Sequence, residues 1–197
     1  MPVFHLHSPA LGLALGLALL TPARPAQAEA RAPLVIGSCG LWPHARCQGV
    51  DLRHQDLSGL DLAGADLRGA KLARANLTAA NLAGALLDGA DLSGARLNKV
   101  NAPGASFRNA RMVGADLEFA RIMRSDFSGA DLTAANLEAS KAAFSWFVGA
   151  SLRDANLQEA KFTTTNLQNA DLRGALLRYT IFPDSTFEGC QGCPTDW

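Results

Sequence analysis

The stretch ADLRGAKLARANLTAANLAGALLDGADL, residues 65–92, repeats one pattern every five residues. A small residue is followed by a polar residue, a large apolar residue and two variable residues. The period runs from Leu52 to Phe187, where 26 of 28 positions spaced five apart hold Leu, Phe, Ile or Met. The two exceptions are Ala102 and Ala142. Because self-similarity of this length outranks local secondary-structure signals, the repeat decides the fold.

Neither standard secondary structure has a five-residue period. In an α-helix, residues five apart point in different directions, so the large apolar residues would be scattered around the axis. In a continuous strand, a step of five residues reverses the side of the chain at every repeat. A chain that turns a corner in every repeat keeps all the large residues inside. The period therefore predicts a solenoid.

The number of corners in each coil can be tested within the sequence. Four sides give a 20-residue coil, and equivalent positions do share their character at that spacing. Phe107, Phe127 and Phe147 fall in one column, and Ala102 and Ala142 fall in the column just before it. Small residues beside large rings indicate volume compensation in a packed core. We expect about seven coils and, at a strand spacing of about 4.8 Å, a rod about 34 Å long.

The pattern closely resembles the A(D/N)LXX motif of the pentapeptide repeat family. The matching segments include Ala65-Asp66-Leu67, Ala75-Asn76-Leu77, Ala90-Asp91-Leu92, Ala135-Asn136-Leu137 and Ala170-Asp171-Leu172. The resemblance implies an all-β fold, a right-handed quadrilateral β-helix. The family has no common catalytic residues, so the resemblance assigns none to this chain. We therefore expect a protein that is not an enzyme and that has no metal or cofactor.

The first residues resemble an export signal. Ala10 to Leu20 is an apolar run too short to span a bilayer but suited to a signal peptide. Ala26-Gln27-Ala28 offers a cleavage site that leaves Glu29 first, and cleavage after Ala30 is the alternative. The interpretation is a signal peptide over 1–28, an N-terminal cap over 29–50, the solenoid over 51–189 and a C-terminal cap over 190–197. It predicts secretion across the inner membrane to the periplasm or the exterior, without stable membrane insertion after cleavage.

The two ends of a solenoid must be covered, because each exposes core and an open strand edge. Leu34-Val35-Ile36 and Trp42 are expected to cover the N-terminal end, and residues 45–49 fit a degenerate first repeat. Phe187, Cys190, Cys193 and Trp197 are expected at the C-terminal end.

The four cysteines fall in two pairs, one at each end of the chain. The length of the rod keeps the pairs too far apart to cross-link, so Cys39–Cys47 and Cys190–Cys193 are the expected disulfides. Two alternatives remain for these residues. Cys190 and Cys193 would form a redox-active pair in the first of them. In the second, a zinc ion would be bound by Cys39, His44, Cys47 and His54.

Deviations from the repeat on the outside of the rod are the candidate functional features. The alternating charges of one outward column predict axial salt bridges; the column holds Asp51, Lys71, Asp91, Arg111, Asp131, Ser151 and Asp171. The Asp and Asn before each Leu are instead expected to bond their own backbone. Another column holds three successive cations, which the fold does not require. The residues expected on the same side of the rod include Phe144, which is predicted to stack over Arg124 in a cation–π pair. Together with the three cations they form the aromatic-basic patch: Phe119, Arg121, Met123, Arg124, Lys141, Phe144, Trp146, Val148 and Lys161.

The balance of basic and acidic residues excludes some classes of binding partner. Residues 51–189 carry 15 Lys and Arg against 16 Asp and Glu, so the rod lacks the basic excess of nucleic-acid binding proteins. The predicted function is an exported, non-enzymatic binding or scaffold module whose partner is an unknown protein or an anionic ligand. A purely structural envelope component is the first alternative, and a homodimer surface is another use of the patch. A gyrase-protecting DNA mimic, a role of some family members, is a remote alternative because those proteins are strongly acidic.

Overall fold

The computed structural model of the protein describes residues 34–194. The predicted signal peptide and Trp197 therefore lie outside the described residues. The described part begins with two antiparallel strands, β1 (Leu34–Ile36) and β2 (Cys39–Leu41). From Arg46 onward each repeat contributes a single β-bridge residue followed by a turn. No helix among residues 34–194 is long and apolar enough to cross a bilayer.

Successive coils are joined by parallel bridges between residues twenty positions apart. The polar residue before each large residue forms the bridge, as Asp66 does with Leu86. Two backbone hydrogen bonds accompany it: the Leu67 amide donates to the Leu86 carbonyl (2.7 Å), and the Leu86 amide donates to the Ala65 carbonyl (2.9 Å). These bonds fix the 20-residue register that the sequence predicts, so the chain forms a four-sided β-solenoid.

Each corner is a tight turn made by the two variable residues. After Leu67 the chain reverses so that the Ala70 amide donates to the Leu67 carbonyl at 3.0 Å, and Gly69 adopts φ +64°. A positive φ at the third residue of such a turn favours glycine. Within residues 34–194, seventeen non-glycine residues nevertheless adopt a positive φ, including Phe119, Arg124 and Phe144.

The core is a stack of inward-pointing large side chains with small residues between them. Phe107, Phe127 and Phe147 lie directly above one another, with ring centroids 4.7 and 4.8 Å apart and nearly parallel planes. Ala102 and Ala142 are fully buried in the neighbouring column, beside Phe107 and Phe147 of the same coils. This arrangement fits the volume compensation that the sequence indicates.

The outward bridge residues define four faces, which we number in chain order. Face 1 carries Arg46, Asp66, Leu86, Ser106, Asp126, Trp146, Asn166 and Thr186; face 2 carries Asp51, Lys71, Asp91, Arg111, Asp131, Ser151, Asp171 and Gln191; face 3 carries Asp56, Asn76, Arg96, Asp116, Asn136, Asn156 and Leu176; face 4 carries Asp61, Asn81, Asn101, Arg121, Lys141, Lys161 and Ile181. Because every bridge is in register, a column in the sequence is a straight row along the rod.

The N-terminal end is covered by the β1–β2 hairpin. Leu34 and Ile36 are partly buried against the core, as expected for a cap. Val35 is 57% exposed and Trp42 is 47% exposed, so the expectation that these two residues cover the core is wrong. The Trp42 ring instead lies against the backbone of Gly40, where a Cβ atom would clash with it. The repeat geometry is already present at residues 45–49, in which Ala45 and Cys47 are buried.

One disulfide cross-links each end of the described chain. Cys39 is bonded to Cys47 with a Cα–Cα distance of 5.3 Å, and Cys190 is bonded to Cys193 with a Cα–Cα distance of 5.8 Å. Phe187, Cys190 and Cys193 are partly buried against the last part of the core. The pairing is the one that the length of the rod favours.

The phenylalanine stack gives a direct test of this core. We expect Phe127→Ala to lower the free energy of unfolding by about 3–5 kcal/mol, because it opens a cavity between two stacked rings. Phe119→Ala is the control, since Phe119 is half-exposed and its loss should cost less than about 1 kcal/mol. Both values come from urea unfolding followed by circular dichroism. Equal losses in the two variants would contradict the stacked core.

Candidate functional site

The structure distributes the aromatic-basic patch over two faces and three corners. Arg121, Lys141 and Lys161 lie on face 4, whereas Trp146 lies on face 1. The expectation that the patch occupies one side is therefore wrong, because a step of five residues always moves the chain to the next face. Its outer members are further apart still: Phe119 lies at the corner between faces 3 and 4, and Val148 at the corner between faces 1 and 2.

The compact part of the patch surrounds the corner between faces 4 and 1. The Arg124 guanidinium lies 5.9 Å from the centroid of the Phe144 ring, which is the predicted cation–π contact. Phe144 and Trp146 are each nearly half-exposed, so both aromatic rings face solvent. They line a shallow depression of about 340 Å³, the corner depression, formed by Arg124, Phe144, Ser145, Trp146, Thr164 and Asn166.

Three of these lining residues were not singled out from the sequence. Thr164 and Asn166 follow Phe144 and Trp146 by twenty residues, so the 20-residue register held the signal that places them there. Ser145 carries a different signal, a hydroxyl in a position that is usually Ala. It is buried, and its Oγ donates a hydrogen bond to the Ile122 carbonyl at 2.6 Å.

Buried hydroxyls continue beneath the corner on both sides of Ser145. Ser125 Oγ donates to the Ala102 carbonyl at 2.6 Å, and Thr165 Oγ1 donates to the Ala142 carbonyl at 3.0 Å. Each hydroxyl therefore bonds the backbone of the preceding coil. Buried polar groups that are hydrogen-bonded in this way tie adjacent coils together, so the corner depression has a rigid floor.

The outward side chains of face 4 change at Arg121 from hydrogen-bonded Asp and Asn to Arg and Lys. Before that coil, Asn81 Nδ2 donates to Asp61 Oδ1 at 2.8 Å and Asn101 Nδ2 donates to Asn81 Oδ1 at 3.0 Å. From Arg121 onward the row holds the cationic column, which we define as Arg121, Lys141 and Lys161, and all three side chains are exposed. None of the ion pairs found within residues 34–194 involves this column.

The carboxylate nearest in chain order to the corner depression is already engaged. Asp126, on face 1, accepts a hydrogen bond from Arg108 Nε of the previous coil and another from the Ser128 amide at 2.9 Å. Burial alone would raise the pKa of Asp126, but hydrogen bonds from the Ser128 hydroxyl, the Ser128 amide and Arg108 outweigh it and lower the pKa. Asp126 therefore remains ionised and bound to Arg108, and does not form an ion pair with Arg124.

The axial salt bridges expected between successive charged residues of face 2 are not found among residues 34–194. Two ion pairs in this range do join adjacent coils, but each starts from a corner residue: Arg108–Asp126 and Arg153–Asp171 (3.7 Å). The other ion pairs form within one repeat, as between Arg53 and Asp51 (2.5 Å) and between Arg173 and Asp171 (2.6 Å). The reason is local: the Asp side chain also accepts the backbone amide two residues later, as Asp171 does from Arg173 at 3.1 Å. That turn bond confirms the structural role expected for the Asp before Leu, and it aims the carboxylate at its own repeat.

A larger depression of about 670 Å³ lies at the C-terminal end of the described repeats. It is lined by Ile181, Phe182, Pro183, Asp184, Ser185, Phe187 and Pro194. It has a single charged lining residue and lies where the repeats end, which is where a solenoid necessarily exposes core. The corner depression instead lies on regular coils, so its chemistry is the more informative.

The zinc alternative is not supported by the described residues. Cys39 and Cys47 are bonded to each other, so neither sulfur is available as a thiolate ligand. No group of His, Cys, Asp and Glu between residues 34 and 194 is arranged to hold a metal ion.

A family comparison agrees with the geometry. The model of pentapeptide repeats matches eight copies, over residues 45–82, 75–112, 90–129, 104–138, 130–169 and 155–191. The chain belongs to the pentapeptide repeat family, and its solenoid is accordingly a right-handed β-helix. A search of curated protein sequences gave no match.

Solved structures similar to this chain are also pentapeptide repeat proteins. HetL from the cyanobacterium Nostoc, involved in heterocyst differentiation regulation, is 26% identical over 73% of this chain and 92% of its own, with a TM-score of 0.34. A protein of the Arabidopsis thaliana thylakoid lumen is 31% identical over 62% of this chain and 72% of its own, with a TM-score of 0.42. Trypsin-treated QnrB1, a plasmid-mediated fluoroquinolone resistance protein, is 21% identical over 75% and 84%, with a TM-score of 0.43.

The turn ion pairs predict how pH acts on this surface. Hydrogen bonding from Arg173 lowers the pKa of Asp171 to about 2. A carboxylate with a lowered pKa stabilises the fold above its ordinary pKa, and this stabilisation is lost as the pH falls towards 2. We expect Arg173→Gln to raise the pKa of Asp171 towards its ordinary value of 3.8, as measured by NMR titration. Arg178→Gln, which removes a guanidinium that contacts Tyr179, should leave the pKa of Asp171 unchanged.

Proposed function

We propose that this pentapeptide repeat protein is an exported, non-enzymatic binding or scaffold module. In this proposal the corner depression and the adjoining cationic column form its docking site. The partner is a protein or an anionic ligand. The observation that carries the proposal is that two neighbouring rows of the solenoid abandon their stable pattern in the same coil.

The first of these rows is face 4. Its early coils satisfy one another through the Asp61–Asn81–Asn101 hydrogen bonds, each of which contributes about 0.5–1.5 kcal/mol to stability. Arg121, Lys141 and Lys161 replace that arrangement with three like charges in adjacent coils. Since like charges repel and the fold does not need them, their position supports a role outside the fold.

The second row is the corner that follows face 4. Gly64, Gly84 and Gly104 occupy the left-handed position of this corner in three successive coils. Arg124 and Phe144 then occupy the same position with φ +58° and +62°. A side chain in that conformation costs roughly 1–2 kcal/mol relative to glycine. The change from glycine to Arg and Phe thus sacrifices local stability beside the cationic column.

A rigid rod is well suited to docking. Binding surfaces lose affinity when side chains and loops must be ordered on contact, and a surface that is already ordered avoids much of that cost. The hydroxyls beneath the corner bond the backbone of the preceding coil, so the backbone that carries the two aromatic rings is fixed before a partner arrives. Exposed aromatic residues together with Arg are typical of binding hot spots.

A patch-dependent crosslinking experiment tests the binding role. The full chain is crosslinked in the native envelope, and captured proteins are identified by mass spectrometry. We expect Trp146→Ala combined with Lys141→Glu to reduce capture of a specific partner by at least about tenfold, because it removes an aromatic anchor and reverses a charge.

Leu86→Ala combined with Lys71→Glu provides the matched control. Leu86 occupies the same row as Trp146, and Lys71 lies on the face opposite Lys141. This variant should capture the partner as the wild type does. If the wild type, the patch variant and the control variant all capture the same proteins, the result would instead favour a purely structural envelope component.

Export is tested by the mature N-terminus. When the full chain is produced with its leader intact, we expect the mass of the mature protein to begin at Glu29. A mass beginning at Arg31 would indicate cleavage after Ala30 and would still support export. A protein that retains Met1 and stays in the cytosol would contradict export, and would return the gyrase-protecting role to consideration.

A further inference from the structure

We propose that the cationic column and the corner depression bind an acidic polysaccharide whose sugar rings each carry one carboxylate, with the chain lying along the axis of the rod. This inference rests on the proposed docking function and names the chemistry of the ligand. It is argued from the straight row of cations, from the lack of ion pairs to them among residues 34–194 and from the position of the aromatic rings.

The cations stand at fixed, equal intervals. Arg121, Lys141 and Lys161 occupy the same position in successive coils and are joined by direct β-bridges. Neighbouring coils are about 4.8 Å apart, a spacing that the stacked rings of Phe107, Phe127 and Phe147 reproduce at 4.7 and 4.8 Å. The three cations therefore form a straight row that extends for about 10 Å along the axis.

An acidic polysaccharide meets two requirements of this strip at once. Its carboxylates complement the charges of Arg121, Lys141 and Lys161. Its sugar rings also offer apolar C–H faces to exposed aromatic side chains, which the side chains of an acidic peptide lack.

The charges on this strip are available to a ligand. Within residues 34–194 no ion pair involves Arg121, Arg124, Lys141 or Lys161. Asp126, which lies on the adjoining face, is held by Arg108. Four cations thus lie around one corner without a paired carboxylate.

Carboxylates border the other side of the cationic column. Glu118, Glu138 and Glu159 lie at the corner between faces 3 and 4, and Glu138 accepts a hydrogen bond from Asn156 at 2.9 Å. They lie outside ion-pair distance of the column. This acidic border repels a broad polyanion such as duplex DNA and confines a ligand to a single narrow strip.

The aromatic rings supply the second element of recognition. Phe144 and Trp146 are nearly half-exposed and line the corner depression next to the column. The flat face of an indole ring packs against the apolar C–H face of a pyranose ring and buries apolar surface. Asn166 and Thr164, at the edge of the depression, supply polar groups suited to sugar hydroxyls.

Isothermal titration calorimetry with defined oligomers tests the inference. The full chain is titrated at low salt with hexagalacturonate, with hexaglutamate and with the neutral sugar maltohexaose. We expect hexagalacturonate to bind about tenfold more tightly than hexaglutamate, and maltohexaose to show no measurable binding. Binding should weaken several-fold between about 50 and 200 mM salt, because the attraction is electrostatic.

Matched variants locate the site. Lys141→Gln should weaken hexagalacturonate binding about five- to tenfold, whereas Lys71→Gln, which removes one charge from the opposite face, should change it less than about twofold. Trp146→Ala should weaken binding about tenfold, and Leu86→Ala in the same row should have little effect. Circular dichroism spectra that match the wild type verify that each variant is folded.

The outcomes separate this inference from the proposed function. Equal or tighter binding of hexaglutamate would overturn the polysaccharide and favour an acidic protein segment. Loss of binding in Lys71→Gln to the same degree as in Lys141→Gln would also overturn it, because the site would then lie elsewhere. Patch-dependent capture of a protein partner without hexagalacturonate binding would overturn this inference and leave the proposed docking function intact.

Discussion

The hydrogen-bonded register between coils is the constraint on which the rest of this structure depends. Each bridge residue is paired with the residue twenty positions later, and two backbone hydrogen bonds join that later residue to the two neighbours of the first, as Leu86 bonds Ala65 and Leu67 on either side of Asp66. Because the register repeats on all four faces, every residue type in the sequence is carried into a straight row. The stacked phenylalanine rings, the hydroxyls beneath the corner and the cationic column are three consequences of that one geometry.

The outward residues of a row can either bond one another and stabilise the rod or remain available to bind a partner. The candidate site lies where rows of the first kind change to rows of the second kind. The Asp61–Asn81–Asn101 row bonds itself, whereas the row that continues it carries three cations. The neighbouring corner changes from glycine to Arg124 and Phe144 in the same coils. Face 4 and the neighbouring corner thus both lose stabilising residues in the same coils. Such a local loss is expected of a functional surface in an otherwise regular protein.

The repeat made the fold, the buried columns and the role of Ala102 and Ala142 predictable, because these features depend only on the five-residue period and on volume. The cation–π contact was predictable for the same reason, since Arg124 and Phe144 are twenty residues apart. The extent of the patch was not, because assigning Trp146 to a face requires following each corner. The ion pairs and the exposed Trp42 were also missed, since both depend on side-chain directions that a column does not specify.

Because the cross-section has four sides, the length of an insertion or deletion determines which face each later residue occupies. Adding twenty residues between two coils would lengthen the rod and leave every later side chain on its original face. Adding five would turn all the later coils by a quarter of a revolution and carry Trp146 and Lys141 to different faces relative to the N-terminal coils. An insertion of five residues would therefore leave the hydrophobic core intact but separate surface residues that now lie on the same face. Selection on this surface would therefore accept length changes only in multiples of twenty residues between the N-terminal cap and the patch.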